Sequence, residues 1–345
     1  MNTKKNCSLI PAMAMCLALL SCGHEVEVSQ EFVYTEADFP SCHASTIVEY
    51  PEGVLNVAFF GGSHEGADDV CIYLCRKEMK DSVWSAPEKV AEDGLHACWN
   101  PVLFAPDNER MLLFYKTGPN VAGWTGHVKT SYDGGHTWPE EYTYPQGMLG
   151  AIKDKPVKLS SGRIIAPSSE EIPVPGQDKI DWTIHFEISD DGGLSWRKVG
   201  PVEADDTVRV IQPAILIHKD GTLQALCRSS NYKVATTWSH DDGETWSKVE
   251  MTDFPNNNSG IDAVTLPDGR FAMVCNPVGS DWGARYPLCL YVSDDGLTWK
   301  EVVTLESEPV ESGYCYPSMI VGSDGALHIC YTWDRKRIRY ARVKL

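Results

Sequence analysis

The sequence predicts an all-β fold, and within that class a six-bladed β-propeller with Asp-box hairpins. The first observation is a repeated stretch, Ser-x-Asp-x-Gly-x-Thr/Ser-Trp, which we call the Asp box. Full copies end at Trp138, Trp196 and Trp246, and a copy that is one residue shorter ends at Trp299. In such a stretch the Asp can bond loop N–H groups, the Gly can adopt a positive φ, and the Trp can anchor the turn. The boxes therefore predict hairpins with an architectural role.

The second observation is the spacing of these tryptophans. The steps from Trp138 to Trp196, Trp246 and Trp299 are 58, 50 and 53 residues. Trp84 lies 54 residues before Trp138 and resembles an eroded first copy. A period of roughly 50 residues is typical of a propeller blade with four short strands. The spacing therefore indicates five consecutive blades.

The ends of the chain predict the sixth blade. The segment from Tyr314 to Leu345 contains two or three more strands but no closing box. We expect the first strand, near Glu31 to Tyr34, to complete this blade, because closure of the ring leaves few exposed sheet edges. The expected organisation is a signal peptide over 1–22, a tether over 23–30 and one propeller over 31–345.

Within each blade, the first strands can be placed from apolar runs between turn residues. Blade one is expected to have two strands between Ser45 and Phe60, around a turn at Pro51–Gly53, and a third strand from Val70 to Cys75. The openings of the later blades are His96–Pro101, Lys153–Pro156, Ile211–Pro213, Asp262–Val264 and Tyr314–Ser318. Polar and aromatic residues gather in these openings. Since the first strands of propeller blades line the central channel, we expect the catalytic and binding residues to lie on the face opposite to the boxes.

Composition excludes several classes of function. The net charge of −18 disfavours binding to nucleic acid or to an anionic membrane surface. Nothing after residue 22 is long and apolar enough to cross a bilayer. Most cysteines after Cys22 lie in apolar runs and are expected to be buried, and no pair has zinc-ribbon spacing. The sequence predicts no metal site and no cofactor.

The N-terminal sequence is typical of a processing signal. Lys4 and Lys5 precede an apolar run from Leu9 to Leu20, and Leu19-Leu20-Ser21-Cys22 resembles a bacterial lipoprotein box. This predicts lipidation of Cys22 and a protein of the bacterial cell envelope that touches the membrane only through its anchor. The alternative is an ordinary secretory signal that contains a cysteine.

Over nearly the whole mature chain, the boxes and their spacing resemble the sialidase-like propellers with bacterial neuraminidase repeats. That family grips a sialic acid carboxylate with three arginines, uses a Tyr nucleophile activated by a Glu, and uses an Asp as acid/base. The resemblance implies that Arg228 and Arg285 are two of the arginines. It implies that Tyr316 is the nucleophile, with Tyr314 as the second choice on the same strand face. Asp69 is the implied acid/base, with Glu65 near it as a further candidate.

Two positions depart from the family pattern. The slot of the first arginine contains Ser41–Ser45, in which His43 could replace the missing contact or act as a base. The Glu that activates the Tyr is replaced by Gln212, which cannot take a proton. Trp99 and Asn100 would offer a stacking face and a hydroxyl contact to a sugar ring, although Trp99 could equally serve packing between blades.

Three functions fit this set of residues. The first is an exo-acting glycoside hydrolase that cleaves a terminal bond beside a carboxylated sugar, in glycans or polysaccharides. The second is a polysaccharide lyase, in which Arg228 and Arg285 neutralise a uronate while His43 or Tyr316 removes the α-proton. The third is a surface protein that binds a carboxylated glycan without turnover. In all three the partner is a carbohydrate.

Overall fold

The computed structural model describes residues 26–345, which form six four-stranded antiparallel sheets arranged as a six-bladed β-propeller. The prediction of an all-β propeller with six blades is confirmed. The innermost strands of neighbouring blades contact one another around the central channel, as β2 does with β6 and β22. Cys22 and the rest of residues 1–25 lie outside the described part of the chain.

Blades one to five each take four consecutive strands, and blade six combines β22, β23 and β24 with β1. In chain order the strands are β1 (Glu27–Phe32), β2 (Ser41–Glu49), β3 (Val54–Gly62), β4 (Cys71–Glu78), β5 (Glu88–Ala91), β6 (Cys98–Phe104), β7 (Met111–Thr117), β8 (Thr125–Ser131), β9 (Glu140–Thr143), β10 (Val157–Lys158), β11 (Ile164–Pro173), β12 (Ile180–Ser189), β13 (Arg197–Val199), β14 (Val210–Ile217), β15 (Leu223–Ser229), β16 (Lys233–Ser239), β17 (Glu250–Pro255), β18 (Asp262–Thr265), β19 (Phe271–Cys275), β20 (Leu288–Ser293), β21 (Lys300–Glu306), β22 (Tyr314–Val321), β23 (Leu327–Trp333) and β24 (Arg337–Lys344).

The first strand closes the ring, as predicted, but it begins earlier than expected. β1 pairs with β24 from Glu27, opposite Lys344, to Phe32, opposite Arg339. Residues 27–30, which the sequence suggested were tether, therefore belong to the propeller. The side chain of Gln30 explains the difference, because its amide donates to Leu305 O over 3.0 Å and fixes this edge to blade five.

Each full Asp box is a closed hydrogen-bonded turn between the third and fourth strands of its blade. In blade three, Asp191 accepts from the backbone N of Ser195 over 2.9 Å and from its hydroxyl over 2.6 Å. The indole of Trp196 donates to Gly193 O over 3.1 Å, which ties the anchor to the turn. Trp84 occupies the same place in blade one, where it is buried and donates to Glu31 Oε1 over 3.0 Å.

The registers place the boxes and the polar openings on opposite faces. In blade four, Leu223 pairs with Ser239, the first residue of a box, whereas Arg228 pairs with Ile211 at the other end of the same sheet. We call these ends the box face and the site face. This confirms the expectation that the boxes lie opposite to the openings of the inner strands.

The innermost segment of every blade has one residue with a positive φ near the site face. Four of these residues lie at register shifts in β2, β6, β14 and β22. For residues other than glycine this conformation is uncommon, and clusters of it mark functional sites. The six residues are Ala44 (φ 56°), Asn100 (36°), Gly150 (68°), Gln212 (56°), Asn258 (56°) and Tyr316 (50°).

The space between blades is filled by apolar side chains, including buried cysteines. All nine cysteines of residues 26–345 are free thiols, and eight of them are buried. This confirms the prediction that most are core residues. No helix among the described residues is long and apolar enough to cross a membrane.

Candidate functional site

The centre of the site face is a hydrogen-bonded trio from blades four and six. Arg228 Nη1 donates to Tyr316 Oη over 3.1 Å and to Gln212 Oε1 over 3.2 Å. Gln212 Nε2 donates to the same phenol oxygen over 2.9 Å. Because the amide oxygen must face the guanidinium, the orientation of the Gln212 amide is fixed and its nitrogen points at Tyr316. Two donors therefore converge on the Tyr316 oxygen and stabilise negative charge there.

Arg228 is held rigidly but retains free donors. Its Nε donates to Asn258 Oδ1 over 2.8 Å, and Asn258 Nδ2 in turn donates to Asp281 Oδ1 over 2.7 Å. The guanidinium lies 5.5 Å from the ring centroids of both Trp182 and Trp282. The two N–H groups of Nη2 have no partner among the described residues. They are therefore available to a carboxylate oxygen of a ligand.

His43 packs directly against Tyr316. The two ring centroids are 4.3 Å apart, and His43 Nδ1 lies 3.0 Å from Thr332 Oγ1. Burial holds the pKa of His43 well below its usual range, and the nearby cations Arg335, Arg285, Arg228 and Lys153 lower it further. The imidazole is therefore neutral, and it lies within a ring of positive charge.

Arg285 and Arg335 complete this ring of charge. Burial lowers the pKa of Arg285, but the combined effect of Cys315, Tyr316 and Glu65 outweighs burial and holds that pKa above its ordinary value. Arg228 bonds Tyr316 directly, and Arg285 is close enough for the two groups to interact electrostatically.

Arg335 is a third arginine that the sequence analysis missed. It lies in the turn between β23 and β24, with φ 59°, and its carbonyl accepts from Cys42 N over 2.9 Å. This contact brings the turn to β2, beside the slot where the first arginine of the family was sought. Arg335 Nη1 forms an ion pair with Glu65 Oε2 over 2.6 Å. No spacing in the sequence signals this approach, because it depends on the closing blade.

The loop after β3 brings Glu65, and not Asp69, to the arginines. Both carboxylate oxygens of Asp69 accept from Ser63 N, over 3.1 and 3.0 Å, and Ser63 Oγ adds a further bond. These bonds lower the pKa of Asp69 below its usual range. The carboxylate thus fastens its own loop, and the role of Asp69 as acid/base stays a prediction.

Three further candidate residues make no hydrogen bond to the trio of Arg228, Gln212 and Tyr316. Tyr314 is 1% exposed and its hydroxyl donates to Glu308 O over 2.7 Å in the core between blades five and six. The expectation that it shares a face with Tyr316 is wrong, because the positive φ of Tyr316 and the register shift beside it break the alternation of the strand. Trp99 is 7% exposed and its indole donates to Gly118 O over 2.9 Å, which supports the packing alternative.

Asn100 lies in the same inner strand as Trp99 and is also buried. Its carbonyl accepts from Lys116 Nζ over 3.2 Å, and its side-chain amide makes no hydrogen bond to residues 26–345. It belongs to blade two, and among the described residues no hydrogen bond links it to the trio of Arg228, Gln212 and Tyr316.

A buried lysine supports Tyr316 from inside the channel. Lys153 Nζ lies 6.0 Å from the Tyr316 ring centroid and donates to Pro317 O over 2.8 Å and to Asp154 Oδ1 over 2.7 Å. Burial raises the pKa of Asp154 above its usual range, although Lys153 opposes this shift. Residues 26–345 contain no cluster of three or more His, Cys, Asp or Glu side chains that could hold a metal ion.

Residues 53–329 match the family model described as BNR repeat-like domain. No curated protein sequence matches the chain significantly. A protein of unknown function from Dyadobacter fermentans has a similar structure, with a TM-score of 0.77 and 17% identity over 93% of this chain and 99% of that one.

Sialidases are also among the similar structures. The NanB sialidase of Streptococcus pneumoniae has a TM-score of 0.67 and 14% identity, over 91% of this chain and 70% of its own. The sialidase of Trypanosoma rangeli has a TM-score of 0.71 and 13% identity, over 91% of this chain and 59% of its own. At these identities the likeness establishes the fold.

Proposed function

Because the chain belongs to the family of BNR repeat-like domains, we propose that its site face is the active site of a sialidase-like, exo-acting glycoside hydrolase. The substrate is a glycan with a terminal carboxylated sugar, and the enzyme cleaves the bond beside that sugar. The observation that carries the proposal is the phenol of Tyr316, held by Arg228 and Gln212 at the centre of a ring of cations.

The ring of cations suits a carboxylated sugar. Arg228 offers both N–H groups of Nη2, and Arg285 and Arg335 also act electrostatically on His43. Arginine binds carboxylates through planar, charge-assisted hydrogen bonds, so three guanidiniums near His43 favour an anionic ligand. Arg335 is paired with Glu65, and a substrate carboxylate would compete for that arginine.

In the proposed reaction Tyr316 is the nucleophile. Its ionised oxygen forms a bond to the anomeric carbon while the glycosidic C–O bond breaks. Gln212 and Arg228 stabilise the phenolate before attack, and Lys153 lies below the ring. Gln212 cannot accept the phenol proton, and His43 is a poor acceptor among four cations. In the proposed reaction the proton therefore passes to solvent before the oxygen attacks.

We assign Glu65 as the acid/base. Once the substrate carboxylate displaces Glu65 from Arg335, the Glu65 carboxylate takes a proton from solvent and gives it to the leaving oxygen. As a base, it then takes a proton from the water that cleaves the Tyr316–sugar bond and releases the sugar and the free phenolate. Glu65 is preferred to Asp69 because it already reaches Arg335, whereas Asp69 is bonded to Ser63.

A lyase is the second candidate, because the cations near His43 and Tyr316 could neutralise a uronate carboxylate. In that reaction the Tyr316 phenolate removes the proton α to the uronate carboxylate. The C–O bond at the β-carbon breaks, a C=C bond forms, and the leaving oxygen takes a proton. The arginines would stabilise the negative charge that develops on the carboxylate. A glycan-binding protein without turnover would keep the cations but would need no phenolate.

Product analysis on a panel of sialosides and uronate-containing oligosaccharides tests these functions. Hydrolysis adds one water per bond cleaved, which mass spectrometry detects, and it leaves no unsaturated sugar. Elimination adds no water and gives an unsaturated uronate with strong ultraviolet absorbance. If neither product forms with any carboxylated glycan, the proposal of an enzyme is wrong.

A further inference from the structure

Two cysteines lie directly opposite one another at the site-face end of blade five. Cys275 is the last residue of β19, and it pairs in register with Cys289, the second residue of β20. Residues directly opposite in an antiparallel pair have Cα atoms about 4.5–5.5 Å apart, and disulfide bonds span about 4.4–6.8 Å between Cα atoms. The backbone of this ladder therefore already has the spacing that a disulfide bond requires.

The two side chains also point to the same face of the sheet. Both belong to one cluster of buried residues, together with Met273 and Tyr291, which lie two positions away along the same strands. The residues between them pack in a different cluster. Burial raises the pKa of Cys275 well above its usual range, and the proximity of Cys289 adds to this shift. The two sulfur atoms are thus directed into the same space.

No strong interaction competes for either thiol. Cys289 Sγ lies 3.7 Å from Thr304 Oγ1, and Cys275 Sγ makes no hydrogen bond to residues 26–345. Thiols are weak donors and weak acceptors, so oxidation of the pair removes no strong bond. Among the nine thiols of residues 26–345, only these two have a cysteine as a register partner.

The pair closes the base of the loop at 276–287, which carries groups of the candidate site. Asp281 Oδ1 accepts from Asn258 Nδ2 over 2.7 Å, and Asn258 Oδ1 accepts from Arg228 Nε over 2.8 Å. The same loop carries Arg285, one of the cations near His43. A covalent bond at the base of the loop would therefore restrict the segment that positions two of the arginines.

We propose that Cys275 and Cys289 are an oxidation site and form a cross-strand disulfide bond that closes the base of the loop at 276–287. Two S–H bonds break and one S–S bond forms. The two electrons and two protons reduce a disulfide of the oxidant to two thiols. The N-terminal sequence predicts export, and disulfide bonds persist in the oxidising compartments outside the cytoplasm.

Burial determines when this oxidation occurs. It raises the pKa of both thiols and so disfavours the thiolate, which is the species that attacks a disulfide. The bond therefore forms while blade five folds or opens locally, and it is then shielded from reductants.

Peptide mapping tests the bond directly. Cleavage after Arg270, Arg285 and Lys300 by trypsin gives peptides 271–285 and 286–300, each with one of the two cysteines. The purified protein is equilibrated with oxidised and reduced glutathione in urea just below its unfolding transition, so that blade five opens repeatedly. Free thiols are then alkylated, and the protein is digested without reduction. We expect one disulfide-linked species of the two peptides, which dithiothreitol separates.

Two variants show whether the linkage is specific. Cys275→Ser should abolish the linked species, whereas Cys42→Ser, which changes a buried thiol of blade one, should retain it. If both cysteines remain alkylated as free thiols in the most oxidising mixture, or if either is linked to a different cysteine, the proposal is overturned.

Hydrogen exchange tests what the bond does. The amides at 276–287 should exchange about tenfold more slowly in the oxidised protein than in the reduced protein, because the loop opens less often. The hairpin between β11 and β12 is the internal control and should exchange equally in both forms. Equal exchange at 276–287 would overturn the role of the bond in holding the loop. None of these measurements depends on turnover, so they stand or fail independently of the proposed hydrolase.

Discussion

Arg228 donates from Nη1 to the phenol oxygen of Tyr316 over 3.1 Å, although 88 residues separate them in the sequence. The same nitrogen donates to Gln212, and Nε donates to Asn258. One guanidinium therefore orients the Tyr316 hydroxyl, fixes the neighbouring amide and still offers Nη2 to a ligand.

Arg228→Ala should abolish most turnover of a carboxylated substrate and leave the fold intact. Loss of a hydrogen bond to a charged group costs about 1.5–3 kcal/mol, which corresponds to roughly ten- to a hundredfold. Steady-state kinetics and circular dichroism check this. Arg209→Ala is the control, because Arg209 packs 4.7 Å from the ring centroid of Trp182 and makes no bond to Tyr316. Equal losses in the two variants would contradict the assignment.

Tyr316→Phe should lower kcat more than it changes KM. The ring still packs on His43, but the oxygen that attacks the sugar is absent. We expect a loss of about a hundredfold or more in kcat, equivalent to roughly 2.7 kcal/mol of barrier. Tyr314→Phe removes a hydroxyl that bonds Glu308 in the core, and it should leave kcat nearly unchanged. Near-normal turnover in Tyr316→Phe would place the nucleophile elsewhere.

Gln212→Glu should change the pH–rate profile of the enzyme. A carboxylate at this position keeps an acceptor for Arg228 and gains the ability to take the phenol proton, which Gln212 cannot do. We expect higher turnover below neutral pH, because the proton then has an acceptor inside the site. Gln177→Glu, at an exposed turn between β11 and β12, is a control for added charge. An unchanged profile with intact folding would show that ionisation of Tyr316 does not limit the reaction.

Asp191→Asn should weaken the fold without changing kcat, because this box lies on the face opposite to the site. Hydrogen bonds from Ser195 lower the pKa of Asp191 to about 2, against about 3.9 in an unfolded chain. The folded-state pKa is depressed, so the carboxylate contributes stability above about pH 4, and this contribution is lost as pH falls towards 2.

The Asn variant should therefore lose about 0.5–1.5 kcal/mol near neutral pH and show a flatter decline in acid. Urea unfolding at several pH values measures both effects. Asp206→Asn, at an exposed position outside the boxes, is the control. A decline in acid as steep as that of the parent protein would contradict the role of the box carboxylate.

Cys22→Ala should release the protein from the membrane fraction into the soluble fraction. The reason is the lipoprotein-like sequence that ends at Cys22, which lies outside the described residues. Fractionation of cells that produce the parent and the variant checks this, and Cys42→Ala, which changes a buried thiol of the propeller, is the control. An unchanged distribution of Cys22→Ala would count against lipidation.

The sequence allowed prediction of the architecture and of the central contact. The box spacing counts the blades, and a propeller brings the openings of its inner strands to one axis. Arg228 and Tyr316 were therefore expected to meet without any local signal that links them. Arg285 could be placed in the same way, from its position before β20.

Other parts of the site depend on features that the sequence does not encode locally. Arg335 reaches Glu65 because the turn after β23 bonds Cys42, a contact between blades six and one. Tyr314 leaves the site because Tyr316 adopts a positive φ, which no periodic pattern reveals. Asp69 was preferred because the acid/base of the family is an Asp. In the structure, both of its carboxylate oxygens accept hydrogen bonds within its own loop.

The way in which β1 closes the ring determines which face of the propeller lies nearest to the N-terminus. Glu27 pairs with Lys344 and Val28 with Val343, and Val343 in turn pairs with Leu327 at the box end of blade six. The chain thus enters the propeller from the box face and runs towards the site face. If the protein is held by its N-terminus, the pocket points outward, away from the supporting surface, where large glycans in the medium can reach it without passing the body of the molecule.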